Sequence, residues 1–376
     1  MLIRFLSIIT IFFLFSVDCS HDKYPVPSIP SEEDRYANIN NEVYNMILPV
    51  LDDDAGYSFR NPTDIYYGVD NFVYVCNTGS DEIVMMDAGG TIQGVCTGIP
   101  HPAAITQNDS LQLLVVNKTN KIYKLDLYRY NHNISATPVE IIFERASEPT
   151  LQYTGITVYN GFEYYVTAIQ PRDTNSNYKE FSFIYDFYAN HTLKGQLPLE
   201  VNGTALFSTI LPTSIVSLRE RYLDVSSREN TTEFMFTHTG RTSLLENSYK
   251  FQHITTRTFE GQPILTPNTA LIGSDIYATD KFWNLQDVAI DRNGFVFLVD
   301  AGKGDADSSG TEGLPGFYRF VASSGLQLQS VLGYGSRLKQ FRNPGGIAVT
   351  PFKEGQIVYV ADSGNNRIMM FELSTE

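Results

Sequence analysis

The run Phe341-Arg-Asn-Pro-Gly-Gly-Ile-Ala-Val349, followed by Val358-Tyr-Val-Ala-Asp-Ser-Gly-Asn-Asn-Arg-Ile-Met-Met-Phe371, reads as three short strands in succession. Gly345 and Gly346 allow a tight approach to Ile347–Val349. Asp362-Ser363-Gly364-Asn365 is a dense turn cluster between Val358–Ala361 and Ile368–Phe371. The same order recurs upstream with decreasing fidelity, as expected of an internal repeat. Phe59-Arg-Asn-Pro-Thr-Asp-Ile65 with Phe72–Gly79 and Glu82–Asp87 is one copy, and Phe282–Ile290 with Phe295–Gly302 and Phe317–Phe320 is another. His101–Ile105, Leu113–Asn117 and Lys121–Leu125 form a further copy. Two weaker ones run from Gly155 to Tyr185 and from Ser214 to Phe251, which makes six.

A single such unit cannot bury both of its faces, so the copies must stack radially into a closed ring. The last copy is one strand short, while Val43-Tyr-Asn-Met-Ile-Leu-Pro-Val50 precedes the first with nowhere else to pair. This N-terminal strand is therefore expected to complete the final blade, removing an exposed edge. Pro49 suits an outer strand, where its missing N–H costs no ladder bond. The Phe, Pro-x-Gly, Ile-Ala-Val, Tyr-Val-Ala-Asp and Asn-Arg-Ile order resembles the NHL repeat. That resemblance implies an all-β, six-bladed β-propeller of NHL-type repeats.

The opening residues carry an address rather than a fold. Arg4 precedes an apolar run, Phe5–Val17, that is too short to span a bilayer. Cys19 directly after that run, followed by a polar, Pro-rich stretch, resembles a bacterial lipoprotein signal in which Cys19 would be lipidated; ordinary cleavage near Cys19 or Ser20 is the alternative. The expected organisation is a signal over 1–19, a linker over 20–41 and one propeller over 42–376, exported and either secreted or held at the cell envelope. Acidic residues outnumber basic ones 42 to 27, which argues against nucleic-acid binding because phosphate neutralisation needs clustered Lys and Arg. No basic patch offers a hold on anionic lipid, so membrane contact is expected only through the anchor, and the chain is expected to be monomeric. Cys76 and Cys96 fall on the second and fourth strands of one blade, roughly 9–10 Å apart by strand spacing. A disulfide needs Cα atoms within about 7 Å, so two buried free thiols are expected.

Function is expected on the face where first strands begin and second strands end. The strand-start positions around the ring are Asp64, Ala104, Gly155, Ser214, Asp287 and Gly346, and the strand-end positions are Asn77, Asn117, Ala168, His238, Asp300 and Asp362. Asp64 and Asp287, with amide and carboxylate oxygens behind them, have the chemistry to hold a hard cation such as calcium. Six-bladed lactonases and paraoxonases use Glu, Asn and Asp near the axis in this way, and the likeness here is of architecture. The competing reading is that Asp or Asn after a second strand caps a tight turn by bonding nearby backbone. Asp305-Ala-Asp307-Ser-Ser309-Gly310 has the opening of a calcium loop, but Gly316 stands where an EF-hand has its bidentate Glu; a solvated acidic loop is the plainer reading.

Amidating lyases of this fold use histidines with zinc, whereas only His101 and His238 fall near the relevant face, too few for a three-ligand site. No Gly-x-Ser-x-Gly or His-Glu-x-x-His pattern is present. Tyrosines such as Tyr66, Tyr67, Tyr164, Tyr165, Tyr128 and Tyr130 suit stacking on sugars or packing against a protein, though most are expected between blades. Asn-x-Ser/Thr sequons begin at Asn108, Asn117, Asn133, Asn190, Asn202 and Asn230. Taken together, the leading expectation is a platform for a protein or glycan ligand. The second is a metal-dependent hydrolase or lyase built on Asp64 and Asp287. Fold alone does not choose between them.

Overall fold

The computed structural model describes residues 42–171, 181–197, 211–221, 231–239, 248–304, 313–351 and 355–375. The signal segment with Cys19, the Asp305, Asp307 and Ser309 loop, and the sequons at Asn202 and Asn230 lie outside the described residues. The structural unit is Glu42–Glu376. It opens with strand β1 (Glu42–Leu51) and continues with blade 1: β2 (Pro62–Tyr67), β3 (Val73–Asn77), β4 (Glu82–Met86) and β5 (Ile92–Thr97). Blade 2 is β6 (Ala104–Gln107), β7 (Gln112–Val116), β8 (Lys121–Asp126) and β9 (Glu140–Glu144). Blade 3 is β10 (Gln152–Tyr159), β11 (Glu163–Gln170), β12 (Phe181–Phe187) and β13 (Leu193–Gln196). Blade 4 is β14 (Pro212–Ser217), β15 (Phe234–His238), β16 (Phe251–Phe259) and β17 (Gln262–Pro267). Blade 5 is β18 (Leu285–Ile290), β19 (Phe295–Asp300), β20 (Gly316–Val321) and β21 (Gln327–Leu332). Blade 6 is β22 (Gly346–Val349), β23 (Ile357–Asp362) and β24 (Arg367–Thr375), with β1 as its fourth strand.

Each blade is an antiparallel four-stranded sheet, and the inner strands touch in the closed order β2, β6, β10, β14, β18, β22 and back to β2. The ring is closed as the sequence implied: Glu42 pairs with Thr375 and Ile47 with Met370. The two ends of the propeller thereby complete one sheet and leave no first-to-last seam.

The second strands are buried along their length because each lies between two neighbouring blades. They therefore read as unbroken apolar runs such as Val73–Cys76 and Phe295–Val299, not as alternating ones. The core is a set of inter-blade seams. Between blades 1 and 2, Tyr74, Ile83 and Met85 meet Leu113, Val115 and Leu125. Between blades 5 and 6, Phe317 packs edge-on to Tyr44 with centroids 5.2 Å apart and against Phe371 at 5.1 Å. Cys76 and Cys96 are buried and free.

In four blades the pairing of first with second strand slips by one residue immediately before the strand-start position, leaving Thr63, Thr154, Thr213 and Gln286 as extra residues. A bulge of this kind interrupts the strict alternation of sides, so both the extra residue and its successor can face the axis.

Candidate active site

The strand-start tier brings two aspartates to the axis. Asp64 of β2 accepts from the Ile65 N–H through Oδ1 and from the Ile105 N–H of blade 2 through Oδ2, both at 2.8 Å. Asp287 of β18 accepts through Oδ1 from the Val288 N–H at 2.7 Å and the Ser214 hydroxyl at 2.5 Å, and through Oδ2 from the Ile347 N–H of blade 6 at 2.7 Å. Each aspartate thus ties its own blade to a neighbour. The two carboxyls also act on each other across the axis.

Two buried like charges in contact cannot both ionise cheaply. Burial, then the Asp287 charge, holds Asp64 well above the ordinary carboxylate range. Burial also raises Asp287, to about 6, against the pull of Ser214 and the Ile347 and Val288 N–H groups, which favour its anion. Both shifts favour protonation of the pair, and Asp287 is the better supplied with donors that favour its anion. Behind them, burial and then the same two charges push up the Cys76 thiol, opposite Asp64 in the ladder.

This tier divides the axis. Above it, on the strand-start side, lies a polar cavity of about 370 Å³ bounded by the bulge residues Thr63, Thr154, Thr213 and Gln286 together with Asn61, Lys118, Gln152, Thr239 and Asn343. Below it is an apolar girdle of Ile65, Ile105, Ile156, Ile215, Val288 and Ile347, within a smaller cavity of about 100 Å³ that reaches Tyr67, Asn71 and Arg292 at the other mouth. The tier itself is tight. A Cβ on Gly346 would lie 2.7 Å from the Asp64 Cα, and one on Gly155 would lie 3.1 Å from the Ser214 Cα. Glycine at these two places lets adjacent first strands approach closely enough for the carboxyls to reach across.

The strand-end residues sit elsewhere and do something common to four blades: they fasten the segment leading into their own blade. Asn77 Oδ1 accepts from the Arg60 N–H at 2.6 Å, and Asn117 Nδ2 donates to the Pro100 carbonyl at 2.8 Å. Asp300 accepts from the N–H groups of Trp283, Asn284 and Gly302 at 2.7–2.8 Å. Asp362 accepts from the Arg342 N–H, from Asn365 Nδ2 and from Arg367 Nε, also at 2.7–2.8 Å. His238 is fully buried, with Nε2 donating to the Tyr249 carbonyl; burial lowers its pKa to about 4, so it is neutral. None of these five lines either axial cavity. Of the sequons, Asn108 and Asn117 are buried, whereas Asn133 and Asn190 are exposed in turns.

The donor set does not fit a hard cation as it stands. Calcium takes six to eight oxygens, while this tier offers two carboxylates and one hydroxyl whose oxygens are already engaged by backbone N–H groups and each other. Among the described residues no group of three His, Cys, Asp or Glu converges anywhere.

The class defined by these observations is a closed six-bladed β-propeller with a polar axial cavity. Among solved structures the chain is similar to a calcium-binding protein, regucalcin, from Agrobacterium tumefaciens (10% identity, 88% of this chain and 96% of that chain covered, TM-score 0.55). It is likewise similar to a gluconolactonase from Xanthomonas campestris (10% identity, 85% and 88% covered, TM-score 0.54). A luciferin-regenerating enzyme is a third such structure (8% identity, 88% and 95% covered, TM-score 0.55). At these identities the shared property is the fold. No protein-family model matches the sequence, and no curated protein matches it.

Proposed function

We propose that this chain is a hydrolase of small polar lactones or esters, acting in the strand-start cavity through the Asp64–Asp287 pair. The carrying observation is that two aspartates, both with carboxyls held above the ordinary range, meet at the floor of a polar 370 Å³ cavity. The substrate class is suggested by the gluconolactonase among the structural neighbours. An exported site is the companion proposal, from the reading of residues 1–19 as a signal.

Two carboxyls with one proton between them supply a base and an acid in the same place, the arrangement aspartic proteases use on amides. Asp287 takes a proton from a water as its oxygen bonds to the carbonyl carbon, while Asp64 gives its proton to the carbonyl oxygen. Asp64 then recovers that proton as the carbonyl re-forms and the ring C–O bond breaks. The proton held by Asp287 goes to the departing alkoxide, so the pair returns to its starting state. Ser214 keeps the Asp287 Oδ1 oriented and has no imidazole partner to activate it. The NHL-like repeats act as scaffold in this reading.

The test is pH-stat hydrolysis of an aldonolactone and acyl-lactone panel by chelator-treated protein. Turnover that persists without metal and drops at least about a hundredfold in Asp287→Asn, the loss expected for a general base, supports the proposal. Turnover abolished by the chelator would make the pair a metal site and overturn this mechanism. No turnover on the panel, together with capture of a protein or glycan, would favour the binding platform.

A further inference from the structure

One cation lines the strand-start cavity among the described residues, and its side chain is unengaged. Lys118 follows β7 in a left-handed backbone conformation (φ 56°), and its N–H donates to the Tyr153 carbonyl of blade 3 at 3.2 Å. The next residue is fixed from the same side, because the Thr119 carbonyl accepts from the Tyr153 N–H at 3.0 Å, while Thr119 Oγ1 donates to Asn117 Oδ1. The turn is thus pinned by two backbone bonds, and it holds the Lys118 side chain at the cavity wall.

Every other described lysine has a partner: Lys121, Lys124 and Lys194 have carboxylates, Lys281 and Lys339 have oxygen acceptors, Lys303 stacks on Trp283, and Lys250 is also engaged. Lys118 alone has neither an ion pair nor a side-chain hydrogen bond among the described residues. That is unexpected in a chain of net charge −15, where a surface ammonium has abundant carboxylates to meet.

The surroundings explain what it is free for. The other side chains lining the cavity, Gln152, Thr154, Thr213 and Gln286 among them, are neutral, and the only acids are the pair at the floor. We propose that Lys118 makes this cavity selective for substrates carrying an anionic group, a carboxylate above all, placed away from the reacting carbonyl. The proposal rests on the strand-start cavity being the substrate site. Lys118 is open to the solvent of the cavity yet surrounded by protein atoms, and this enclosure disfavours its charged form. An arriving carboxylate restores the lost solvation through a charge-assisted hydrogen bond.

The experiment compares D-glucaro-1,4-lactone, which bears a free carboxylate, with neutral D-glucono-1,4-lactone of the same ring. Wild type is expected to favour the anion about tenfold or more in kcat/KM, the size of one charge-assisted contact. Lys118→Met should bring that ratio down about tenfold, and Lys118→Arg should restore most of it. An unaltered ratio in Lys118→Met overturns the proposal. Should neither lactone be turned over, the hydrolase reading falls separately, and calorimetry with D-glucarate against D-glucitol decides this one. Glucarate binding weakened about tenfold by Lys118→Met, with glucitol unaffected, supports it; glucarate that binds no tighter than glucitol, or not at all, overturns it.

Discussion

Asp300 and Asp362 on the one hand, and Asp64 and Asp287 on the other, are four acids on one face of the same repeat, all buried but the half-buried Asp64, yet they differ in kind. The turn acids are saturated: Asp362 meets a backbone N–H, an amide and the Arg367 guanidinium, which bonds in turn to the carbonyls of Ser336, Arg337 and Gln340. Their oxygens point into a knot of chain and away from the cavities. The axial acids also accept backbone N–H groups, each including one from a neighbouring blade, and they meet at the axis at the floor of the strand-start cavity. Charge in the first pair is balanced by protein donors, whereas in the second both carboxyls are pushed toward their protonated form. Burial therefore does not distinguish a functional acid here; what balances its charge does.

The comparison breaks most easily at Asp362. Asp362→Ala removes one half of a buried ion pair and strands Arg367, so a loss of about 3–5 kcal/mol is expected, read as a drop in the urea midpoint. If the variant instead folds as well as wild type but loses hydrolysis, the turn acids belong to the site and the distinction fails. Asp287→Asn should do the reverse. Its shape is kept and stability should fall by only about 1 kcal/mol, one neutral hydrogen bond, while turnover drops at least about a hundredfold.

A sterically milder probe is Gly346→Ala. The added methyl would sit 2.7 Å from the Asp64 Cα and 2.9 Å from the Ile65 nitrogen, both backbone atoms. Overpacking of this kind costs about 1–3 kcal/mol, and here it also displaces Asp64. A variant with wild-type stability would show that the tier is looser than described.

The blades were legible because a blade needs only short apolar runs and turns in fixed order, and Phe341–Phe371 shows that order without interruption. The closing strand was legible because Val43–Val50 had no other edge to join. The site was legible only in part. Asp64 and Asp287 stand out as acids at strand-start positions, but Asn77, Asn117, Asp300 and Asp362 look equally polar in the sequence. What separates the groups is the one-residue slip at Thr63, Thr154, Thr213 and Gln286, which leaves no mark on composition and little on alternation. Lys118 was passed over for a related reason. Only its left-handed backbone and the blade 3 contacts bring it to the cavity, and a residue just after a strand end reads as an ordinary turn.

The smallest expected effect is also the most direct test of the shared proton. In the unfolded chain both aspartates titrate near about 4, whereas the folded pair binds protons more tightly, with Asp287 raised to about 6 and Asp64 well above the ordinary range. Between these limits the native state carries more protons than the unfolded one, so stability contributed by the pair is full below about pH 4 and is lost as pH rises past 6. Asp64→Asn keeps a neutral group that donates to Asp287 but forfeits one backbone acceptor, an expected cost of about 1 kcal/mol at pH 5. At pH 8 wild type must hold its extra proton against solvent or accept a second buried charge, and the variant faces neither cost. The stability gap between the two should therefore narrow or invert between pH 5 and pH 8 in paired urea titrations. A gap of the same size at both values would mean that no proton is shared, and that Asp64 is a structural tie of the same kind as Asp362.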